Sequence, residues 1–497
     1  MLHVHAAPYS VVAARGSSPR LADASVTRSS LISPVVFAGT TRVLEAALVA
    51  ASGIAIAAIY VESDAAGLAR YWVASSAAGA LTVMLLAWFN LYSIGAMLNP
   101  VRSLAGVFAG WALAVASVAA AVFFLKLGDE FSRVWLAAWF VSGGAVLMAG
   151  RLAIAARARS WSQAGRLNRR AVIYGSGPAC AALVEALEAD RTTDIRICGV
   201  FDDRGDERTG DNTGGYPNRG RLGDLISFAR TTRVDLVLLA LPISAENRLM
   251  GLLEKLWVLP VDIRLAASAS RLRLARSAYD FVGNVALVAL ADKPISDWGM
   301  VAKSVFDKVV AGLALVALSP VMALTALAIR LDSKGPVIFR QKRYGFNNEL
   351  IEVYKFRSMY TDMTDVSASK LVTKDDPRVT KVGRIIRKTS LDELPQLLNV
   401  LKGTLSLVGP RPHAVSAKAA GKLYDEAVDS YFARHKVKPG ITGWAQINGW
   451  RGETDTEEKL VKRIEHDLEY IENWSLLLDL WIVLRTPMSL LKTENAY

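Results

Sequence analysis

The chain has 497 residues, 52% hydrophobic and 21% charged, with a mean hydropathy of +0.28. That hydropathy argues against an ordinary soluble enzyme, and the length predicts two to four domains. The formal charge of +12 calls for an anionic partner (phosphate ligands, anionic lipid or nucleic acid), while two cysteines, Cys180 and Cys198, exclude a disulfide framework or zinc cluster and suit a reducing compartment.

Residues 1–42 are rich in Ser, Ala and Arg and read as a disordered basic tail. A cleaved signal is not expected, because the first apolar run starts only after Arg42. Four apolar runs follow, about Val43–Val61, Tyr71–Tyr92, Leu104–Leu125 and Val134–Ile154, each near the ~20 residues that cross a bilayer as helix. They predict a four-helix transmembrane unit over 43–160. The tail carries Arg15, Arg20, Arg28 and Arg42; Arg151, Arg157, Arg159, Arg166, Arg169 and Arg170 come with or after the fourth run. The loops between the runs are poorer in cations, so both ends of the unit are expected in the cytoplasm.

From Arg170 the pattern alternates. Ala171–Tyr174, Ile195–Phe201, Val234–Leu241 and Val261–Leu265 read as strands; Pro178–Ala189, Leu222–Thr231 and Ala245–Leu256 read as helices. This is the signature of a parallel, Rossmann-like α/β domain, placed at 170–292. Asp202–Arg221 is expected to be a mobile loop. Gly175-Ser176-Gly177 follows the first strand, and Asp202 and Asp203 follow the second, but Cys180 stands where a dinucleotide fingerprint needs its third glycine. No Tyr-x-x-x-Lys occurs, so the domain reads as one without a catalytic cofactor, and a nucleotide-sugar oxidoreductase is the weaker rival.

A fifth apolar run, Val309–Ile329, is interrupted by Ser319-Pro320 and flanked by cations on both sides: Lys303 and Lys308 before it, Arg330, Lys334, Arg340, Lys342 and Arg343 after it. A crossing would strand one cationic cluster outside. A helix over 305–330, broken at Ser319-Pro320, that enters one leaflet and returns satisfies both flanks; a kinked spanning helix is the alternative.

The remaining residues carry the chemistry. A basic stretch, Lys374–Lys388, contains Arg384 and Arg387 and runs into Thr389-Ser390-Leu391-Asp392-Glu393-Leu394-Pro395-Gln396. Arginine forks beside adjacent carboxylates suit a diphosphate, with a divalent metal bridging acid and phosphate. Two local readings compete with this: Ser390-x-x-Glu393 is a capping box, and Asp392 would complement the dipole of a helix starting near it. Lys355-Phe-Arg357-Ser-Met359, Gly409-Pro-Arg411-Pro-His413 and Lys438–Gly452 add cations and a Gly/Trp/Gln/Asn loop suited to stacking on a base or sugar.

These strings together resemble the bacterial polyprenyl-phosphate hexose-1-phosphate transferases, which initiate exopolysaccharide and capsule synthesis. The resemblance rests on KFRSM (Lys355–Met359), DPRV (Asp376–Val379), TSLDELPQ (Thr389–Gln396), SLVGPRPH (Ser406–His413) and KPGITGWAQIN (Lys438–Asn448), in family order over 303–497. The four-helix front and degenerate α/β middle resemble the family's long form. Gly449–Thr454, Tyr470–Ser475 and Asn495–Tyr497 resemble its glucose-using subtype, with UDP-galactose or another UDP-hexose as the alternative donor.

The resemblance implies that Asp392 is the nucleophile toward the sugar-linked phosphorus of a UDP-hexose. It implies that Glu393 holds Mg²⁺, with Asp392 as a further ligand, or acts as base. Arg387 and Arg411 are implied as phosphate contacts, with Arg384, Lys355 and Arg357 as further ones. Ser319-Pro320 matches the family's re-entrant helix. The implied partners are undecaprenyl phosphate and membrane lipid, not nucleic acid; a homodimer is compatible. The implied location is the cytoplasmic face of a bacterial inner membrane. A non-catalytic scaffold for polysaccharide assembly is the other reading. The chain departs from the family at Asn347-Asn348-Glu349-Leu350-Ile351, where glycine and an aromatic are usual, and at Lys374-Asp375-Asp376-Pro377, where Lys-Asn-Asp-Pro is usual.

Overall fold

The computed structural model describes residues 33–61, 65–164, 166–189, 194–204, 212–213, 215–241, 246–267, 280–282, 285–363, 376–413, 418–419, 422–424, 431–450, 452 and 456–491. The expected tail up to residue 32, part of the expected mobile loop, Lys374, Asp375 and Asn495–Tyr497 lie outside these.

Four long helices form the front unit: α1 (Pro34–Tyr60), α2 (Ala65–Trp88), then, after the short α3 (Ile94–Leu98), α4 (Pro100–Phe124) and α5 (Arg133–Gln163). Helix α1 begins nine residues before the apolar run because Ser33 caps it, accepting from the Val36 amide, and Pro34 suits the first turn. The tail therefore does not extend to residue 42. Trp111, Trp135 and Trp139 fill the bundle core. Their polar edges are satisfied on backbone: Trp135 Nε1 donates to Gly53 O at 2.8 Å and Trp139 Nε1 to Val49 O at 3.1 Å.

Arg151 is not a flanking cation. Helix α5 runs on past it, and it is buried against Glu45, Nε to Oε1 at 2.9 Å, while the Tyr92 hydroxyl donates to Glu45 at 2.6 Å. A charge in an apolar bundle is tolerated only when paired. Hydropathy assigned Arg151 by its character; packing decided its place.

The α/β domain contains β1 (Arg169–Tyr174), α6 (Pro178–Ala189), β2 (Ile195–Phe201), α7 (Leu222–Thr231), β3 (Leu236–Leu239), α8 (Glu246–Leu256), β4 (Asp262–Ala266), β5 (Asp280–Val282) and β6 (Val285–Ala291). The sheet order is β2-β1-β3-β4-β6-β5. The first four strands are parallel; β6 and β5 add an antiparallel edge that the periodicity did not announce. Helices cover both faces, so Ala171 and Ile173 are buried on one side and Val172 and Tyr174 on the other. Two short strands, Asn212–Thr213 and Tyr216–Pro217, occupy part of the expected loop.

Helix α9 (Asp297–Asp332) is continuous, with Pro320 inside it, so the expected break is a proline accommodated within a helix. Proline lacks the N–H that would satisfy the carbonyl of residue 316. The Ser319 hydroxyl takes over, donating to Val316 O at 2.8 Å. Val309, Leu313, Val316 and Leu324 are exposed along the middle, whereas both ends are held by the domain that follows. Near its start, buried Lys303 pairs with Asp479 at 2.6 Å and Asp307 accepts from the Ser406 hydroxyl at 2.7 Å. Near its end, Ile329 packs with Phe356 and Ile386. Ser33 donates to Asp297 at 2.6 Å, which brings the starts of α1 and α9 together.

The C-terminal domain continues with a hairpin, β7 (Ile338–Tyr344) and β8 (Leu350–Phe356), then α10 (Lys381–Lys388), a 3-10 turn at Leu391–Glu393, α11 (Gln396–Lys402), β9 (Ser406–Val408) and β10 (Gly440–Thr442). The short α12 (Trp444–Ile447), α13 (Glu457–Glu472) and α14 (Leu476–Leu491) complete it. At the hairpin turn Asn347 and Asn348 adopt φ of 51° and 61°. Asparagine is the non-glycine residue that best tolerates this region. The α/β domain touches this turn: Asn347 Nδ2 donates to Ala229 O at 2.8 Å.

Candidate active site

The site is assembled from the hairpin, the turn after α10 and the loop after β9. Pairing in β7–β8 is antiparallel with Gln341 opposite Val353 and Arg343 opposite Ile351. The two-residue period therefore places Gln341, Arg343 and Lys355 on one face. Helix α10 approaches the hairpin closely: a Cβ at Gly383 would lie 2.0 Å from Ser358 O. Thr389 ends α10, and Ser390 turns the chain through the left-handed region (φ 57°) into Leu391–Glu393. Asn399 then pins α11 to β8, donating to Glu352 O at 2.7 Å and accepting from Tyr354 N at 2.9 Å.

This geometry rejects the capping readings. Ser390 makes no side-chain cap, and the regular helix starts only at Gln396, with Pro395 preceding it. The Glu393 carboxylate turns instead to two cations. Lys355 Nζ donates to Oε1 at 2.9 Å, and Arg411 binds both oxygens, Nη1 reaching Oε2 at 3.2 Å. Asp392 is 9% exposed, and its carboxylate has no hydrogen-bond partner among the described residues.

Neighbouring acids thus have opposite electrostatics. Burial pushes Asp392 up to about 6, reinforced by the charge on Glu393 and opposed by Lys355, Arg387 and Arg411. Burial acts on Glu393 in the same direction, but Arg411 and Lys355 together outweigh it and hold that carboxyl well below its usual range. Burial lowers Lys355 despite both carboxylates. Arg411 is raised by Glu393.

Arg343 completes the cage and was not picked out in the sequence as a site residue. It donates to Pro412 O and, through Nη2, to Gln341 Oε1 at 2.8 Å. Burial, with Arg411 beside it, lowers it to about 10. Its signal was available: it shares the alternation of Lys355 across a short Gly/Asn turn. Lys355, Arg343, Arg387 and Arg411 face Asp392 and Glu393, leaving the cluster cationic.

Other expected residues lie differently. Arg384 is exposed on α10. Arg357 is buried and closes the end of α9, donating to Lys334 O at 2.5 Å, Ser333 O at 2.7 Å and Thr361 Oγ1 at 2.9 Å. Asp376 folds onto Arg378, accepting from its Nη2 at 2.6 Å. In the α/β domain Asp202 is buried and accepts from Ser176 and from Arg204 N, so the acid at the nucleotide-fingerprint position is tied to the glycine loop itself.

Among the described residues, five helices are long and apolar enough to cross a membrane. With the cation-caged acid pair at the foot of one of them, the molecule is of the class of membrane proteins built for phosphate-group chemistry. Comparison makes this specific. Residues 298–493 match the family model described as bacterial sugar transferase, and residues 87–267 match one described as a CoA-binding domain. The chain is 39% identical over 390 residues to the UDP-glucose:undecaprenyl-phosphate glucose-1-phosphate transferase of Escherichia coli K12, covering 78% of this chain and 81% of that protein. It is 32% identical to the Xanthomonas campestris protein of the same name over 97% of each chain. It is 42% identical to the undecaprenyl-phosphate glucose phosphotransferase of Komagataeibacter xylinus, over 67% of this chain and 61% of that protein's length. The chain belongs to the bacterial sugar transferase family.

Proposed function

We propose that the protein transfers glucose-1-phosphate from UDP-glucose to undecaprenyl phosphate, releasing UMP, as the first step of exopolysaccharide synthesis. The names of its relatives support donor and acceptor. The observation that carries the mechanism is the pairing of Asp392, whose buried carboxylate has no hydrogen-bond partner among the described residues, with a Glu393 pinned by two cations.

An Asp392 oxygen attacks the sugar-linked phosphorus. The bond from that phosphorus to the bridging oxygen breaks, and UMP leaves with the electron pair. An oxygen of undecaprenyl phosphate then attacks the same phosphorus, displacing the Asp392 carboxylate and restoring it. Splitting one transfer between two anions into two steps avoids bringing both together at once. Arg411, Arg387 and Lys355 neutralise the charge on the transferring group.

Among the described residues no three His, Cys, Asp or Glu converge as a metal cage. Two adjacent carboxylates nevertheless suit Mg²⁺, which commonly takes one or two protein carboxylates and completes its shell with water and substrate phosphate. Glu393, with Asp392 beside it, would hold the ion, which would supply further charge neutralisation.

We read helix α9, continuous but short of one backbone hydrogen bond at Pro320, as bending there, so that it dips into the cytoplasmic leaflet with both ends on the cytoplasmic side. The charged flanks and the hold of one domain on both ends of the helix support this. The acceptor's chain then stays in lipid beside the site.

The test is UMP release by purified protein in lipid nanodiscs given UDP-glucose and Mg²⁺, with and without undecaprenyl phosphate, alongside UDP-galactose and UDP-N-acetylglucosamine. Acceptor-dependent release from UDP-glucose is expected; release from another donor alone overturns the sugar. Labelled glucose-phosphate trapped on protein is expected with wild type and not with Asp392→Asn.

A further inference from the structure

Arg411 projects from a loop whose backbone is gripped from behind. Arg434, in the turn Tyr431–Lys436, is 0% exposed. Its Nη2 donates to Arg411 O at 2.7 Å and to Asp467 Oδ2 at 2.6 Å, and its Nη1 meets the His413 ring at Nδ1, 2.6 Å away. Arg343, from the β7–β8 hairpin, donates to the next carbonyl, Pro412 O. Successive carbonyls are thus fixed by two guanidiniums, the half-buried Arg343 and the fully buried Arg434, and prolines at 410 and 412 stiffen the same segment.

The arrangement has the features of a device built for this loop. A fully buried cation is tolerated because Asp467, on α13 and itself buried, compensates it. His413 must remain an acceptor to serve Arg434. Burial, with Arg434 and Arg463 close by, keeps it well below its usual range, hence neutral. The Arg434 Nε–H has no hydrogen-bond partner among the described residues, so the group is oriented for the loop carbonyl, the carboxylate and the imidazole. The turn carrying Arg434 is braced by the α/β domain, where Arg230 lies 4.5 Å over Phe432 and Lys436 lies 4.0 Å over Trp257.

We propose that Arg434 is a positioning residue for the transfer: together with Asp467 and His413 it fixes the Arg411 carbonyl, and so aims the Arg411 guanidinium at the donor phosphate. Arg434 has no solvent-facing surface and acts only through Arg411. The inference rests on the reading of Arg411 as a phosphate contact.

The experiment is a double-mutant cycle on the full chain in nanodiscs, following UMP release from UDP-glucose with undecaprenyl phosphate. The variants are Arg434→Lys, Arg411→Lys and the pair. Lysine keeps each charge but loses the guanidinium fork. Arg434→Lys is expected to lower kcat by about 10- to 100-fold, the scale of a misplaced catalytic group, with a smaller change in KM. The pair is expected to be no slower than Arg411→Lys by more than about twofold, because one effect contains the other. Losses that multiply, or an Arg434→Lys protein with wild-type kcat, overturn the proposal and leave the phosphate reading of Arg411 standing. An Arg411→Lys protein with wild-type turnover overturns both. Should Arg434→Lys not fold, Asp467→Asn, which preserves shape and removes the charge holding Arg434, goes through the same cycle with the same criteria.

Discussion

Replacing Asp392 with asparagine should inactivate the protein and make it more stable at neutral pH. The carboxyl rises from 3.8 to about 6 on folding, so the folded state holds its proton more tightly than the unfolded one. The corresponding stability is fully present below about pH 4 and is lost as pH climbs through 6. A rise of about two pH units corresponds to ~3 kcal/mol, the penalty of keeping this buried carboxylate charged at pH 7.5. Asparagine has the same shape without the charge. Its C-terminal domain should therefore unfold later in urea or heat at pH 7.5, by about 2–4 °C per kcal/mol in a domain of this size. The gain should fade toward pH 4, where wild-type Asp392 is protonated in both states. Wild-type turnover should in turn fall as pH drops through 6, because the nucleophile must be ionised. A variant that melts below wild type at pH 7.5, or one that still transfers sugar, would refute the reasoning.

The neighbouring Glu393→Gln should show the opposite sign. Its depressed carboxyl contributes stability above its unfolded value that is lost as pH falls through its folded one, so the variant should unfold earlier at pH 7.5; breaking the buried pairs with Arg411 and Lys355 sets the scale at about 3 kcal/mol. Gly383→Ala drives a Cβ against the Ser358 backbone and should destabilise the C-terminal domain by roughly 1–3 kcal/mol, read by urea titration, with turnover falling as α10 shifts. In the bundle, Arg151→Met strands Glu45 and should cost about 3–5 kcal/mol, while adding Glu45→Gln should recover much of it in nanodisc thermal melts. Ser319→Ala leaves Val316 O without its hydroxyl donor beside Pro320; a loss of about 1–3 kcal/mol is expected by the same melts.

The chain's periodicities alone were enough to place most elements. Strand Ile195–Phe201 and helices Pro178–Ala189 and Leu222–Thr231 occupy the expected residues, because a parallel sheet covered on both faces leaves short apolar runs between amphipathic helices. The four apolar runs are likewise helices. The acid pair was legible too, as adjacent carboxylates after a basic stretch. What the sequence left open was the partner of each charge. Arg151 and Arg357 read as solvent or ligand cations; packing turns one onto Glu45 and the other onto the end of α9. Arg343 read only as a cation flanking an apolar run and Arg434 was not singled out, yet they hold the loop that carries Arg411. Asp392 and Glu393, alike in sequence, diverge because residues 38 and 18 positions away reach only Glu393 by hydrogen bond. Local sequence determines which backbone forms, since propensity and hydrophobic period act over a few residues. Whether a buried charge is paired, and by what, depends on segments that meet only when the domain closes.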